Sequence, residues 1–407
     1  IQAILNECRV IPTEKVNITS EDADLNVIAK SDSFLHVLTK QLQKISKDCQ
    51  TVIIPDSEFS AMGIQFLMTD IKFSDVDVSE IYTTSYGNMM SFDLNPALIR
   101  VVFQYKFQQL IYPYMSGEGN GIADLVIEIQ FSTSIAMSDI CSYHFKMSDL
   151  SSFAKMQHFQ LQLPSASPFI QALINALTSV FQRIFNEMII YWLDQLSNIF
   201  NDNIGRKKTI TKMNDSISSD CRFINFTMMD QVIHFQTSGQ ICEYRSMYDN
   251  CSRWTERQNI SLQPIKMFNK PIQYYISQNA IQSMLDHALY LNLTVDQMQV
   301  ERVVNTGILV NVKNKEFEAQ IHCIFIAKTV EDKNNLPVSN YTQPILQMKK
   351  VISTTKNFNE YEYIEKMNAM FMNCSHNIDT FGYIDEEGQI ISYQSPSWVI
   401  IAMNQQE

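Results

Sequence analysis

One stretch of the sequence restricts the fold more than any other. From residue 123 to residue 137 apolar and polar side chains alternate at a period of two, as they do on a β-strand. A run of about fifteen residues is far longer than the usual strand of five or six. A strand that long, with one apolar and one polar face, is typical of a twisted antiparallel sheet that curls around an apolar interior. The apolar positions are Ala123, Leu125, Ile127, Ile129, Phe131, Thr133, Ile135 and Met137.

Other alternating runs flank this segment. Residues 64–73 alternate but change phase near Asp70, and a one-residue change of phase predicts a β-bulge. Residues 99–107 give a further run of the same kind. In the second half of the chain alternation returns at 308–325, and Trp398–Met403 predicts a final strand.

Helical periodicity separates the runs of strands. Pro164 and Pro168 precede a pattern over 169–200 whose apolar residues cover more than one narrow stripe, and Gly205 marks its end. A helix of about thirty residues is about 45 Å long, so it would lie along a sheet. Ser31 and Ser33 precede a shorter helix over 34–48. In the second half, Ser277 predicts the N-cap of an amphipathic helix, and residues 360–372 predict another.

Composition and charge exclude several function classes. With 45% hydrophobic and 18% charged residues, the chain has enough apolar surface to fold. The 31 basic and 43 acidic residues give a net charge of −12, which disfavours nucleic-acid binding. No uninterrupted run of about 18 apolar residues predicts a transmembrane helix.

Cysteines and glycosylation sequons favour the secretory pathway. The chain begins at Ile1 without a Met, which is typical of a processed chain, and its eight cysteines contain no C-x-x-C. We therefore predict a secreted glycoprotein with disulfides. Cys8 with Cys49 is one candidate pair, and pairing among Cys221, Cys242 and Cys251 is another. The candidate glycosylation sites are Asn17, Asn214, Asn225, Asn250, Asn259, Asn292, Asn340 and Asn373.

No pattern in the sequence predicts catalysis. The seven histidines show no HxH, HExxH or HxxxH spacing, and there is no G-x-S-x-G or glycine-rich phosphate loop. We therefore predict no enzyme activity, no metal and no cofactor. The basic run at residues 206–208 follows a helix, where cations complement the helix dipole.

Several segments, in the same order, resemble the family of bactericidal/permeability-increasing protein, lipopolysaccharide-binding protein and the plasma lipid transfer proteins. Ile53-Ile54-Pro55-Asp56 follows the first helix as the family's Ile-Pro turn does. The segment 119–131 (GNGIADLVIEIQF) resembles its glycine-rich turn and long barrel strand, and 169–200 falls where its second long helix does. Residues 232–244, 272–291 and 389–403 resemble its central sheet, the first helix of its second barrel and its closing strands.

The resemblance implies an α+β fold of two tandem curled antiparallel barrels with long amphipathic helices, joined by a central sheet into a boomerang. The implied organisation is an arm (1–30), a first lipid-binding barrel (31–204), a linker with central-sheet strands (205–270), and a shorter second barrel with closing strands (271–407). The most polar stretch, 205–222, predicts the linker itself. Residues 332–356 are too polar to supply every strand of a second barrel, so we predict a reduced one.

Two departures from the family bear on function. The family's bridge between a strand cysteine near Cys141 and the long helix cannot form here, because 169–200 contains no cysteine. The lipopolysaccharide-binding members have a basic tip on the first barrel. In this chain residues 57–146 contain only Lys72, Arg100, Lys106 and Lys146.

The resulting functional hypothesis is a secreted lipid-binding or lipid-transfer protein that holds acyl chains between helices and barrel. We expect a neutral or zwitterionic lipid rather than lipopolysaccharide, with contact to a membrane or lipoprotein surface left open. The alternative is a structural or protein-interaction module on the same fold that has lost lipid exchange. The predicted lipid-binding residues are Phe34, Val37, Leu38, Leu42, Leu125, Ile127, Ile129, Phe131, Leu173, Leu177, Phe181, Ile184, Phe185 and Met188.

Overall fold

The structure is a computed structural model that divides into two compact units. Unit 1 comprises Ile1–Phe34, Ala136–Lys146 and Asn203–Glu407, and unit 2 comprises Leu35–Ile135 and Met147–Asp202. The residues that the structure describes are 11–33, 54–61, 63–78, 81–86, 89–112, 114–139, 141–164, 172, 175–176, 178–205, 208–213, 215–229, 232–260, 270–304, 307–331, 337–354, 359–374, 378–379 and 397–403.

Strands dominate both units, and the predicted α+β class is confirmed. The first half contains β1 (Leu25–Lys30), β2 (Ser57–Ala61), β3 (Ile64–Val78), β4 (Ile81–Tyr86), β5 (Met89–Gln109), β6 (Ser116–Met137), β7 (Phe145–Gln162) and helix α1 (Thr178–Gly205). The second half contains β8 (Ile210–Lys212), β9 (Ile217–Asp220), β10 (Phe223–Met229), β11 (Val232–Thr237), β12 (Ile241–Arg245), β13 (Asn250–Ser252), β14 (Ile272–Ser277), α2 (Gln278–Tyr290), β15 (Gln297–Val304), β16 (Gly307–Lys313), β17 (Phe317–Glu331), β18 (Pro337–Thr354), α3 (Glu360–Cys374), β19 (Ile378–Asp379) and β20 (Trp398–Met403).

Unit 2 is built on one sheet of very long strands. Its order is β2-β3-β5-β6-β7, with β4 paired to β5. Strand β5 has 21 residues and β6 has 22, so the expectation of unusually long strands is confirmed. The predicted bulge is also present: the β3–β5 register shifts between Thr69 and Lys72, and Asp70 has a φ of 51°. The bulge lets β3 bend while both halves keep their apolar residues on one face.

The glycine-rich segment before the long strand is not a turn. Gly117, Gly119 and Gly121 lie within β6, where they pair with Phe107, Tyr105 and Phe103 of β5. A glycine opposite each ring leaves room for it, because a Cβ at Gly121 would lie 2.3 Å from the Phe103 ring. The prediction of a turn was wrong because glycine is also used in strands where a large neighbour needs space.

Helix α1, most of which belongs to unit 2, ends at Gly205, as the sequence predicts. Phe181, Phe185, Ile189 and Leu193 recur every four residues and form its buried stripe. Ile184, Met188 and Tyr191 beside that stripe are half-buried. The predicted helix over 34–48, and residues 169–177 apart from 172 and 175–176, lie outside the described residues.

The described strands of unit 1 form three sheets. A five-stranded sheet has the order β10-β11-β1-β14-β20, a four-stranded sheet β13-β12-β9-β8, and a second five-stranded sheet β15-β16-β17-β18-β19. The predicted cap of α2 is confirmed, since the Ser277 hydroxyl accepts a hydrogen bond from the Ala280 amide at 3.2 Å. The final strand at Trp398–Met403 is also confirmed.

Two polar segments of unit 1 contain more strand than their composition indicates. Residues 205–222, predicted as the linker, contain β8 and β9, and Ser218, Ser219 and Asp220 are buried there. Residues 332–356, predicted to be too polar to supply every strand of a full barrel, contain all of β18, which pairs with β17 along its length. Antiparallel pairing is made by backbone hydrogen bonds, so a segment with polar side chains also forms a strand when a neighbouring strand provides the backbone donors and acceptors.

Cysteines 242 and 251 form a disulfide across the β12–β13 hairpin, which realises one of the predicted pairings. Cys141 is also disulfide-bonded. The Cys323 thiol is buried, and this burial raises its pKa to about 12. The predicted pair of Cys8 and Cys49 lies outside the described residues.

Candidate functional site

The apolar face of the unit 2 sheet is the candidate functional site. Along β3 the side chains of Phe66 and Met68 are buried, as are Phe92 of β5 and Leu125 and Ile127 of β6. The burial pattern of β6 alternates as its sequence predicts, with the intervening polar residues on the opposite face. The long period-two pattern therefore gives one continuous apolar surface.

Helix α1 packs on this surface through phenylalanine rings. The Phe181 ring lies 5.1 Å from the Phe66 ring and 5.2 Å from the Phe59 ring, edge-on in both cases. One turn further along, the Phe185 ring lies 5.9 Å from Phe103 and 5.5 Å from Phe159. These centroid distances fall in the range preferred by aromatic pairs. The helix therefore spans the sheet from β2 to β7.

Aromatic and aliphatic residues occupy different stretches of the face. The rings collect where β5 pairs with the glycines of β6, and the Phe66 and Tyr105 rings stack at 5.7 Å. Further along β6 the interior is aliphatic: Leu125 pairs with Ile99, and Ile129 pairs with Leu94. The Phe131 ring stacks on Phe92 at 4.7 Å beyond the aliphatic stretch.

The interior of unit 2 contains almost no polar groups. Among the residues whose burial the structure describes, the buried polar groups on this face are few: the Thr133 hydroxyl, which donates to the Ser148 carbonyl at 3.0 Å, the side chain of Tyr105, and Oδ1 of Asn186 on α1. Such a surface offers few hydrogen-bonding groups by which to orient a ligand. It suits a ligand, or part of a ligand, that is itself apolar.

Several charges on the opposite, polar face of unit 2 are paired with one another. Arg100 contacts Asp124 at 2.6 Å, Lys106 contacts Glu118 at 3.1 Å and Lys72 contacts Asp70 at 2.7 Å. The pairing with Asp124 raises the pKa of Arg100. Cations already engaged with carboxylates are poorly placed to bind the phosphates of a ligand.

The titratable groups with the largest pKa changes lie in unit 1. Burial lowers the pKa of His234 to about 4. Burial also raises the pKa of Tyr363, whose hydroxyl donates to Asp296 at 2.9 Å. These changes follow from burial within unit 1 itself. Among the described residues no group of three or more potential metal ligands comes together.

The structure describes eight of the fourteen predicted lipid-binding residues. Leu125, Ile127, Ile129, Phe181 and Phe185 are buried in unit 2. Phe131, Ile184 and Met188 are half-buried. The remaining predicted residues, Phe34, Val37, Leu38, Leu42, Leu173 and Leu177, lie outside the described residues.

Sequence reasoning missed the aromatic part of the same surface. Phe59, Phe66, Phe103 and Phe159 contact α1 but were not predicted as site residues. One signal was available: the glycines at 117, 119 and 121 alternate along β6, which indicates a neighbouring strand with bulky side chains. Strand register, which the sequence does not specify, determines which rings face them.

The candidate glycosylation sites differ in exposure. Asn17, Asn259 and Asn292 are exposed, whereas Asn225 and Asn250 are half-buried. Asn340 lies in β18 and Asn373 in α3, while Asn214 lies outside the described residues. An exposed asparagine is the more accessible acceptor, so the first three are the stronger candidates.

Comparison with known proteins settles the fold. No family model and no curated protein sequence matches the chain. Among solved structures, lipopolysaccharide-binding protein matches with a TM-score of 0.53 and 10% sequence identity, covering 94% of this chain and 99% of that one. The chain has the fold of lipopolysaccharide-binding protein. The resemblance found in the sequence is therefore confirmed at the level of the fold.

Two further solved structures match less well. Takeout 1 of Epiphyas postvittana has a TM-score of 0.29 at 12% identity and covers 41% of this chain and 89% of its own. P47 of Clostridium botulinum E1 has a TM-score of 0.24 at 9% identity and covers 95% and 99%. Neither score is high enough to support an inference. Within the described residues, no helix meets the length and apolarity needed to cross a membrane.

Proposed function

We propose that this protein binds lipid, with acyl chains lying between α1 and the apolar face of the unit 2 sheet. The observation that carries the proposal is the interior of unit 2, which buries a long apolar face and few polar groups among the residues whose burial is described. Each buried CH₂ contributes about 0.8 kcal/mol, so apolar burial alone supplies affinity. The shared fold supports the proposal, since the matching protein is named for binding lipopolysaccharide.

The half-buried apolar residues beside the buried stripe of α1 are the proposed place of contact with the ligand. Phe181 and Phe185 are almost fully buried against rings of the sheet. Ile184 and Met188 lie beside them and are only half-buried. Methionine adapts its shape to irregular neighbours, which suits contact with a flexible chain.

The proposed lipid is neutral or zwitterionic. Lipopolysaccharide carries phosphates that require clustered cations. Four of the five described lysines and arginines of unit 2, Lys72, Arg100, Lys106 and Arg183, have a carboxylate within 3.4 Å, and the fifth, Lys155, is a single exposed cation on β7. The overall charge of −12 also disfavours an anionic ligand.

We further propose that the protein is secreted and glycosylated, lacks enzyme activity, and has the domain boundaries predicted above.

Extraction of bound lipid tests the proposal. The native protein is purified without detergent, extracted with organic solvent, and the extract is analysed by mass spectrometry. The expected result is a stoichiometric neutral or zwitterionic lipid. An extract free of lipid, from a protein that also fails to bind added lipid after delipidation, would contradict the proposal.

A pair of variants links binding to α1. Replacing Ile184 and Met188 together by Gln should lower the affinity of the delipidated protein for a fluorescent phosphatidylcholine by about tenfold or more, because polar amides would face the chain. The matched control is Arg183→Gln, since Arg183 lies on the exposed face of the same turn with its side chain 82% exposed. Equal losses of affinity in the two variants would show that α1 does not contact the bound lipid.

A further inference from the structure

The loop between β5 and β6 in unit 2 exposes an unusual set of side chains. Leu110 is 53% exposed, Ile111 62%, Tyr112 81% and Tyr114 72%. Single exposed apolar residues are common on protein surfaces. Four large ones within five consecutive positions are uncommon and indicate an interaction surface.

The backbone holds this loop in a defined shape. The Gln109 amide donates to the Met115 carbonyl at 2.7 Å, which closes the loop across its base. The Leu110 amide donates to the Gly63 carbonyl at 2.7 Å and ties the loop to the β2–β3 turn. Within the loop the Tyr112 and Tyr114 rings meet edge-on at 6.3 Å. A surface displayed in this way loses little conformational entropy on binding.

The neighbouring turn helps to present the loop. A Cβ placed at Gly63 would lie 2.7 Å from the Cδ1 atom of Ile111, so the absence of a side chain at Gly63 lets Ile111 pack over it. The loop also continues directly from Phe107, which pairs with Gly117 in the aromatic stretch. The exposed surface therefore adjoins the end of the sheet where α1 packs through Phe181.

The chemistry of the loop identifies its partner. Tyrosine combines an apolar ring with a polar hydroxyl and is enriched where membranes meet water. No charged residue occurs from Gln108 to Gly117, and the closest preceding cation, Lys106, is paired with Glu118 at 3.1 Å. A membrane surface recognised through charge would require free lysines or arginines. An uncharged aromatic loop instead suits a bilayer without net charge.

We propose that the side chains of Leu110, Ile111, Tyr112 and Tyr114 insert into the headgroup layer of a zwitterionic phospholipid bilayer and dock unit 2 there. The inference extends the proposed function by naming the surface from which lipid would be taken or to which it would be delivered. It does not depend on lipid being held in the interior, because the loop binds the bilayer from outside.

Vesicle co-flotation with the full chain tests the proposal. The vesicles are pure phosphatidylcholine, and a second set contains 30% phosphatidylserine. Tyr112→Ser combined with Tyr114→Ser should weaken binding to phosphatidylcholine by about tenfold or more. The matched control combines Tyr82→Ser and Tyr86→Ser, whose tyrosines are 59% and 87% exposed on β4. Because Tyr86 pairs with Met89 at the start of β5, the control lies one full strand length from the loop.

The outcomes separate this proposal from the function proposed above. Loss of vesicle binding in the loop variant alone, with the extracted lipid unchanged, supports docking through the loop. Equal loss in the control variant, or binding only to the phosphatidylserine vesicles, would overturn it. Failure of the wild-type chain to bind either kind of vesicle would also overturn the proposal. A concentration-dependent dimer that the loop variant abolishes would overturn it too, because the loop would then bind a second copy of the chain. A chain that binds vesicles but yields no extracted lipid would retain this proposal and contradict the other.

Discussion

The interiors of the two units are both largely apolar but differ in how many polar groups they bury. Unit 1 buries Asp24, which accepts hydrogen bonds from Arg257 at 2.8 and 3.0 Å and from Gln240 at 2.8 Å. It also buries the Asp220–Arg222 ion pair, at 2.8 Å, with both side chains at most 2% exposed. The described residues of unit 2, by contrast, bury few polar side chains, Thr133 and Tyr105 among them, and no ion pair that is fully buried. Directional contacts in unit 1 favour a single arrangement, whereas apolar contacts in unit 2 tolerate many.

This difference has a functional meaning. A buried hydrogen-bond network penalises any rearrangement that leaves one of its members without a partner. An apolar interior has no such penalty, so one apolar group can replace another. We therefore expect the stability of unit 1 to fall when a single buried polar group is removed. The stability of unit 2 should instead depend on the volume of its buried side chains and should increase when lipid is added.

The largest effect is expected from removing the centre of the polar network in unit 1. Asp24→Ala removes the partner of Arg257 and of the Ser277 hydroxyl that also caps α2. Breaking a buried ion pair by removing one partner costs about 3–5 kcal/mol. The free energy of unfolding in urea, followed by circular dichroism, should fall by about that amount. Added lipid should not restore it, and a loss below about 1 kcal/mol would contradict the account of unit 1.

Removal of a ring from unit 2 should cost slightly less and should respond to lipid. Phe185 is 1% exposed and packs on Phe103 and Phe159. Phe185→Ala should lower the free energy of unfolding by about 3 kcal/mol, because it leaves a cavity. A lipid bound to the folded state raises stability by mass action, and its chain would also fill that cavity. Thermal unfolding with and without phosphatidylcholine should therefore show a larger lipid-induced increase for this variant than for Asp24→Ala.

A smaller effect concerns pH and unit 1. Burial lowers the pKa of His234 to about 4, below the ordinary value of 6.5, so the folded state favours the neutral ring. The unfolded chain therefore binds the proton more readily, and stability falls as the pH drops from about 6.5 to about 4. One pKa unit corresponds to about 1.4 kcal/mol, so this change sets an upper bound of about 3 kcal/mol, and the partial exposure of the ring reduces the expected loss to about 1–2 kcal/mol.

Urea unfolding at several pH values checks this prediction. His234→Gln should flatten the pH dependence, and Gln can still donate to Asn26, whose Oδ1 atom lies 2.8 Å from the His234 ring. The control is His158→Gln, because His158 is exposed on β7 of unit 2. A pH dependence that disappears in the control instead would assign the titration to another group.

The smallest effect is expected on the polar face of unit 2. The Lys106–Glu118 pair is 68% and 71% exposed, and exposed pairs contribute about 0–1 kcal/mol. Glu118→Ala should therefore change the free energy of unfolding by less than about 1 kcal/mol. Freeing Lys106 should nevertheless strengthen binding to anionic vesicles at low salt. A large loss of stability would show that unit 2 also depends on charge pairing.

Local patterns in the sequence predicted much of the fold because their causes are local. The bulge at Asp70 follows from a change of phase, the end of α1 from Gly205, and the start of α2 from the Ser277 cap. Each depends on a few neighbouring residues. The predicted order of elements was also sufficient to identify the fold that the structural comparison supports.

The remaining features depend on residues distant in the sequence. Strand β9 is polar and short, and it is buried because β8 and β12 pair with it on either side. The aromatic part of the candidate site depends on the register that places Phe103 opposite Gly121. Periodicity identified the apolar face of β6 but did not identify which rings of other strands share it. Those contacts are determined by strand order, which single-strand patterns do not contain.

The most direct test of the account is to locate the bound acyl chain. A phosphatidylcholine with a photoreactive diazirine near the end of one chain is loaded onto the delipidated protein without vesicles, irradiated, and the labelled peptides are identified by mass spectrometry. The account predicts labels within β5, β6 and α1 of unit 2, including the segments around Ile127 and Met188. Labels confined to unit 1, or no labelling above that of the unfolded chain, would contradict it.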